Sequence, residues 1–551
     1  MGRMYQNIFS GWCLCTNSSH HPGGRVIVAW KDDSFNLDIC YISSQMIHCK
    51  VQAISNKKEF YCTFVYAFNS AESREELWND LEMIAGNMKK AWVILGDFNC
   101  VLEREEKIGG PIRDHDMNPF RRCVTKCELE DMKYSGCYYK WNNKQTDGSK
   151  VFCKLDRVLC NVRWCEEFPT TETRFMPEGL FDHSPMLLQI HQVKRKGASP
   201  FRFYKMWCEA PEFLRRVREA WSSPVNGTPM FCVMQRLKRV KAEMQELDKV
   251  GFKDIQIADC KTYEYLLECQ KQLQQRQDGE ICAKEKEAAN EYRKVHAHYI
   301  SFLQQKSKYE WIKMGDENTS LFHRAIRKRR TQNAIYGIHD INGTWVEGEK
   351  VAEAFIEYYK GLLGTAKEGS SMTCAEIIAQ GPCLNLEQQE DLMREITDDE
   401  IQQALFSIPV DKSPGPDGFG TTFYKASWEI IGNDIITAVK DFFIHRKMLK
   451  DMNNTLITLV PKSKCPSNVS DYRPIACCNV VYKCITKVIC NRMRKILPDI
   501  IAENQGAFIQ GRFIGHNIMV CQDIVHGYGR KNSKPGCIIK MDMWKAYDSI
   551  D

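Results

Sequence analysis

The chain has 551 residues, of which 76 are Lys or Arg and 70 Asp or Glu, for a formal net charge of +6. That length is too great for one hydrophobic core, so two or three domains are expected. A hydrophobic content of 43% and a charged content of 26% are ordinary for soluble globular protein, and so small a net charge excludes reading a partner from the total alone. The 26 cysteines are scattered, with no regular framework and no pair of CxxC motifs, which favours free thiols in a reducing compartment over a disulfide scaffold or a zinc site. No apolar run approaches the roughly 18 residues of a membrane span, and the start lacks a basic region followed by an apolar stretch. An intracellular chain, nuclear or cytoplasmic and without a membrane partner, is expected.

In chain order, residues 24 to 193 hold short strand signals with turn punctuation: RVIVAW, FYCTFVYAF, AWVILGDFN and PMLLQIHQV. They predict a layered α/β or α+β domain over 1–195. From 196 to 363 the pattern turns helical. Val233, Leu237, Val240, Met244 and Leu247 recur at spacings of four and three, and the polar stretch from Tyr263 to Lys306 continues in kind, so long paired helices are expected. Basic residues gather at the end of this region, in Arg327, Lys328, Arg329 and Arg330. Such a cluster is either a phosphate-contacting stripe or a solvated helix face. Residues 364–394 have the small-residue character of a linker. In ITDDEIQQAL, Thr397 and Glu400 have capping-box spacing, which makes Asp398 and Asp399 helix-terminus charges.

Three stretches of the first region carry candidate chemistry. In WVILGDFN a buried strand runs into Gly96, Asp97 and Asn99, and a carboxylate and an amide so placed can orient a water or a phosphate oxygen. KLDRVL places Asp156 beside a strand, and DHSP places Asp182 before His183, where a neighbouring carboxylate would fix the imidazole tautomer for proton transfer. Alone, each is as well explained by an ordinary surface pair. In this order, over residues 20 to 193, they resemble the endonuclease/exonuclease/phosphatase family in the form found in plant LINE-type non-LTR retrotransposons. The resemblance implies a two-layer β-sandwich flanked by helices and Mg²⁺-assisted nicking of DNA. It assigns Tyr66 a place near the scissile phosphate, Asp97 the alignment of the attacking water, Asn99 and Asp156 supporting roles, and Asp182 with His183 the terminal pair. The family's earlier asparagine and metal-binding glutamate find no room before residue 20, Phe181 replaces a usual Ser, and Lys140 a common Thr. A nuclease domain lacking its N-terminal strands, with weak or absent activity, is therefore expected.

Farther on, DKSPGPDGFGTTFYK holds a rigid turn at 414 to 418 with a helix after it. Lys462 and Arg473 bracket a loop from which two cations could reach a triphosphate, although two surface cations explain them equally. The segment IIKMDMWKAYDSID places Asp542 at a strand exit, as a metal ligand or as a cap of the following turn. With NQGAFIQGRFIGHN, these stretches resemble, over 395–551, the fingers and the start of the palm of the same elements' reverse transcriptase. The resemblance makes Asp542 the first Mg²⁺-binding aspartate and Tyr547 the residue under the incoming sugar. Lys462 and Arg473 become ligands of dNTP phosphates, and Gln505, Gly511, Arg512 and Asn517 fall near template and primer. The later aromatic-x-Asp-Asp hairpin does not follow Asp551.

The overall expectation is a multidomain α/β and α+β chain: a partial sandwich nuclease, a helical connector and a partial reverse transcriptase. It reads as part of an RNA-directed DNA polymerase with an attached DNA-nicking domain, catalytically incomplete, whose partners are DNA, RNA and dNTPs. The alternatives are a nucleic-acid-binding remnant without catalysis and a non-functional gene fragment.

Overall fold

A computed structural model of the chain describes residues 9–112, 114–146, 148–191, 200–275, 279–307, 322, 326, 329, 332–364, 376, 380–503, 505–506, 508–528, 537 and 539. It is a mixed α/β chain of two compact units, each assembled from separate stretches. The first takes residues 1–196, 323–359 and 460–473, the second 197–322, 360–459 and 474–551. Residues 323–359, expected within the helical connector, and 460–473, expected with the polymerase-like region, are thus grouped with the first unit.

In the first unit the strands are β1 (Cys13–Thr16), β2 (Ile27–Trp30), β3 (Phe35–Ile42), β4 (Met46–Ala53), β5 (Glu59–Tyr66), β6 (Trp92–Asp97), β7 (Lys107–Ile108), β8 (Glu130–Asp131), β9 (Tyr134–Gly136), β10 (Trp141–Asn142), β11 (Phe152–Cys153), β12 (Asp156–Cys160), β13 (Thr171–Phe175) and β14 (Met186–Ile190). The main sheet has six strands in the order β3-β4-β5-β6-β12-β8. Only the β5–β6 pair within it is parallel, because the helix α1 (Glu75–Asn87) supplies the crossover between them. A second layer is formed by β1-β2 and by β14-β13-β9.

Period-two alternation explains the layering. From β4, Ile47, Cys49 and Val51 face one way and join Val28, Val93, Val158, Trp164 and Leu188 between the layers. Residues of the opposite parity, Met46, Val65, Trp92, Ile94 and Leu159, pack beneath α1 and α2 (Asp114–Lys126) against Leu77, Trp78, Leu81 and Phe120, while α3 (Val162–Glu167) carries Trp164 on the other side.

Two local features hold this unit to its shape. At Gly96 the backbone has φ of +142°, and a Cβ there would lie 1.9 Å from the Val65 carbonyl oxygen, so only glycine lets β6 approach β5 this closely. Under β12, Arg157 has no exposed side-chain surface and pairs with both Glu106 and Asp131, and Lys154 meets the same two carboxylates. Glu106 also accepts the amides of Leu102 and Glu103, so the buried charges are paired and hydrogen-bonded.

The second unit is helical. Helix α4 (Phe213–Ser222) packs on α5 (Pro229–Gly251), whose buried residues include Val233, Leu237, Val240, Met244 and Leu247, the spaced set in the sequence. Helices α6 (Ile255–Gln275) and α7 (Gly279–Ser307) pair along their lengths. Beyond α8 (Leu386–Met393), helix α9 (Asp398–Phe406) opens on the Thr397–Glu400 capping box and packs on α12 (Val480–Ile500), with α10 (Thr421–Ala426) and α11 (Trp428–His445) between them in sequence. The PGPDG turn leads into α10 as expected. Arg492 of α12, 8% exposed, donates to both Glu400 oxygens and to the carbonyls of Leu392, Arg394 and Glu395, closing the end of α8.

Among the described residues the cysteines are free thiols. No described helix is long and apolar enough to cross a membrane.

Candidate active site

Sheet register builds the site. Tyr66 lies opposite Asp97 across the parallel β5–β6 pair, and Asp97 lies opposite Asp156 across the antiparallel β6–β12 pair. Three polar side chains on adjacent strand ends thus form one row. His183 arrives from the turn before β14. That turn is braced by residues 140–142: Ser184 N donates to Lys140 O, Asn142 N donates to Asp182 O, and Trp141 bridges to His183.

The imidazole stands between two carboxylates, with Nδ1 at 2.8 Å from Asp156 Oδ2 and Nε2 at 3.9 Å from Asp97 Oδ2. Asp156, 6% exposed, therefore fixes the ring. Asp182, the neighbour expected to do so, instead accepts from the Trp141 indole at 3.2 Å. Adjacent residues point apart here, whereas pairing across strands brings together residues 27 apart.

The electrostatics follow from burial and like charge. Asp97 is 7% exposed, and its burial, with the Asp156 carboxylate alongside, pushes its pKa up to about 6. The Asn99 amide, His183 and Arg25 pull it back. His183 is raised above its usual range, chiefly by its hydrogen bond to Asp156. A carboxylate that titrates near neutrality thus faces an imidazole that readily holds its proton, a pattern found where protons are moved.

Asn99 supports this geometry from the left-handed region, at φ +46°. Its amide N donates to Asp97 Oδ1 at 2.8 Å, and its side chain donates to the Ala67 carbonyl at 2.9 Å. Asn tolerates that backbone conformation better than most residues do. Lys140 is 1% exposed, with Nζ 3.6 Å from the Phe175 ring centroid and 4.4 Å from that of Tyr134. Burial lowers its pKa to about 7. It braces the His183 turn through its backbone carbonyl.

A residue that sequence reasoning missed is Arg25. Its guanidinium lies over the Tyr66 ring at 4.1 Å and the Phe68 ring at 4.6 Å, and Nη2 donates to the Ala67 carbonyl. Its position at the head of RVIVAW was visible; nothing in the spacing relates it to Tyr66.

The remaining expected residues are elsewhere. In the hairpin formed by β17 (Leu456–Pro461) and β18 (Tyr472–Cys477), after the hairpin β15 (Gly337–His339) and β16 (Trp345–Glu347), Lys462 is exposed and its Nζ donates to Ser470 O at 2.7 Å; Arg473 is exposed. Arg512 donates to the carbonyls of Pro498, Ile501, Ala502 and Gln505, capping the end of α12. Arg329 is described only as a helical, half-buried residue. Arg327, Lys328, Arg330, Asp542 and Tyr547 lie outside the described residues.

A magnesium ion would meet two neighbouring carboxylates here, Asp97 and Asp156, and not a full set of protein donors. No group of three or more His, Cys, Asp or Glu among the described residues could hold a metal ion, and the Asp97 and Asp156 oxygens face Asn99 and His183.

Comparison with known proteins supplies the wider setting. Residues 460–551 match the family model for reverse transcriptase (RNA-dependent DNA polymerase). The transposon TX1 uncharacterized 149 kDa protein of Xenopus laevis is 21% identical over 547 residues, which cover 95% of this chain and 41% of that protein. The chain thus spans less than half the length of the relative it matches. Among solved structures, the endonuclease domain of TRAS1, a telomere-specific non-LTR retrotransposon, aligns with 15% identity and a TM-score of 0.28, covering 34% of this chain and 83% of that one. An endonuclease/exonuclease/phosphatase family protein from Bacteroides thetaiotaomicron aligns with 11% identity and a TM-score of 0.23, covering 35% and 80%. Residues 460–551 are thus similar to reverse transcriptases, and over most of its length the chain is similar to part of a transposon protein.

Proposed function

We propose that the first unit cleaves DNA phosphodiesters slowly, and that the row Tyr66, Asp97 and Asp156 with His183 performs the proton transfer. The carrying observation is the placement of His183 between Asp156 at 2.8 Å and Asp97 at 3.9 Å. Groups so close cannot serve opposite ends of an in-line displacement, so they act on the same side of phosphorus. Asp97 takes the proton of an attacking water, whose oxygen bonds to phosphorus. Protonated His183 donates to a non-bridging oxygen as charge builds there, and the bond to the leaving sugar oxygen breaks, solvent protonating that oxygen. Asp156 keeps the imidazole oriented and charged, and Asn99 holds the Asp97 carboxylate.

Proton transfer of this kind contributes about 10²–10⁴-fold. A bound divalent cation would add Lewis-acid stabilisation worth several kcal/mol, and the described residues offer no complete donor set for one. Slow cleavage follows. The test is nicking of supercoiled plasmid by the purified chain with and without Mg²⁺: slow conversion to open circles that disappears in His183→Ala supports the assignment. Equal conversion by that variant sinks it.

For the reverse transcriptase segment we propose RNA-templated extension of a DNA primer in the parent polyprotein, supported by the family match over 460–551. Lys462 and Arg473 are the proposed contacts to dNTP phosphates, Asp542 the proposed Mg²⁺ ligand and Tyr547 the neighbour of the incoming sugar. Extension of a primed RNA template, lost in Asp542→Asn and with a raised KM for dNTP in Arg473→Ala, tests these roles.

A further inference from the structure

Arg25 is placed as no residue needed only for the fold would be. The loop that carries it is fixed by Asn17, which is fully buried. Asn17 donates to the carbonyls of Ser43 and Ser44, and its own oxygen accepts from the amides of Arg25 and Val26. This arrangement orders the start of β2 and sets the guanidinium against Tyr66 and Phe68, on the carbonyl of Ala67 that also receives Asn99. Its Nη1 is covered and donates to nothing among the described residues. Leaving a covered charged donor unmet is costly, so the arrangement is completed by an incoming acceptor. The cover includes Tyr66, a ring 40% exposed and hence able to swing outward.

The neighbourhood says which acceptor. The two cationic groups that act on Asp97 are His183 and Arg25. Of the two, Arg25 presents a planar fork of donors that suits phosphate oxygens. Resting on the phosphodiester reading above, we infer that Arg25 is a substrate-binding residue that donates through Nη1 to a phosphate of the DNA strand lying against Tyr66. The pairing with two aromatic rings keeps the guanidinium flat beside the carboxylate row and prevents it from collapsing onto Asp97 as an internal ion pair.

The experiment uses the full chain with a fluorescein-labelled DNA duplex in a salt titration followed by anisotropy. Arg25→Met retains the ring packing and removes the charge. It is expected to weaken binding about tenfold and to reduce the slope of log K against log salt by about one. Arg25→Lys is expected to restore most of the slope and only part of the affinity. Unchanged affinity and slope in Arg25→Met overturn the inference. If Arg25→Met does not fold, the wild-type chain is treated with phenylglyoxal, and protection of the Arg25 peptide by added DNA replaces the variant; equal modification with and without DNA overturns it. The two proposals separate cleanly. A wild-type chain that binds through Arg25 but never nicks sinks the hydrolysis reading alone, whereas nicking with Arg25-independent binding sinks the contact alone.

Discussion

His183 Nδ1 and Asp156 Oδ2 are 2.8 Å apart, a pairing made by sheet register rather than by sequence proximity. Removing the Asp156 charge tests what the pairing does. In wild type the acid limb of the nicking profile is set by Asp97 near pH 6 and the alkaline limb by the raised His183. Asp156→Asn withdraws the largest cause of that elevation and also the like charge that helps raise Asp97, so both limbs move to lower pH and the active window shifts toward acid. A pH–rate profile measures this; an alkaline limb that stays in place contradicts the assignment of His183 as the charged partner.

Asp97 lowers stability at neutral pH. Its folded pKa of about 6 lies above the ordinary 3.8, so its favourable protonated form is fully present below 3.8 and that stability is lost as pH rises through 6. Asp97→Asn keeps an oxygen for the Asn99 amide and removes the charge. The variant is expected to lose nicking while gaining about 1–2 kcal/mol at pH 8, seen as slower proteolysis of the first unit, with no gain at pH 3.5.

Lys140 gives the opposite dependence. Its folded pKa of about 7 lies below the ordinary 10.5, so the penalty of burying its charge is full below pH 7 and fades as pH rises toward 10.5. Lys140→Met has similar volume and no charge to bury. It is expected to stabilise the first unit by about 2 kcal/mol at pH 6 and to flatten the rise of stability with pH, measured by thermal melting across that range.

Arg492 carries the second unit. Arg492→Met removes one donor from each oxygen of Glu400, which keeps Arg394 and Thr397 as donors, and takes the guanidinium from the carbonyls of Leu392, Arg394 and Glu395. A loss of about 2–4 kcal/mol is expected, read as a lower melting temperature with faster hydrogen exchange in α8 and α9. Glu400, held at about 2 chiefly by Arg492, adds a sign: its contribution is present above pH 4.5 and lost as pH falls toward 2. The deficit of the variant should therefore shrink in acid by the Glu400 part and keep the part due to the three carbonyls.

Sequence made local features legible and hid those made across the sheet. The buried stripe of α5 from Val233 to Leu247, the Thr397–Glu400 capping box and the PGPDG turn each lie within one element, where periodicity and turn chemistry act directly. Asp97, Asn99, Asp156 and His183 were visible because each adjoins a strand signal. Which carboxylate meets His183 depended on register between β6 and β12, and the choice of Asp156 over Asp182 has no local signature. Arg25 was hidden for the same reason, since its ring partners, Tyr66 at the end of β5 and Phe68 just beyond it, lie about forty residues on in the chain. Arg512 shows the converse: a cation read as a contact for nucleic acid is occupied by four carbonyls at a helix end.

Glu400 begins α9 as a cap that its own neighbourhood can complete, yet its oxygens also wait for a guanidinium 92 residues downstream. During synthesis the helix can therefore start early but cannot be locked until the ribosome has delivered α12. For that interval the nascent second unit is open to chaperones and proteases, and a ribosome stalled between these two points would release a product whose helices form without being fastened.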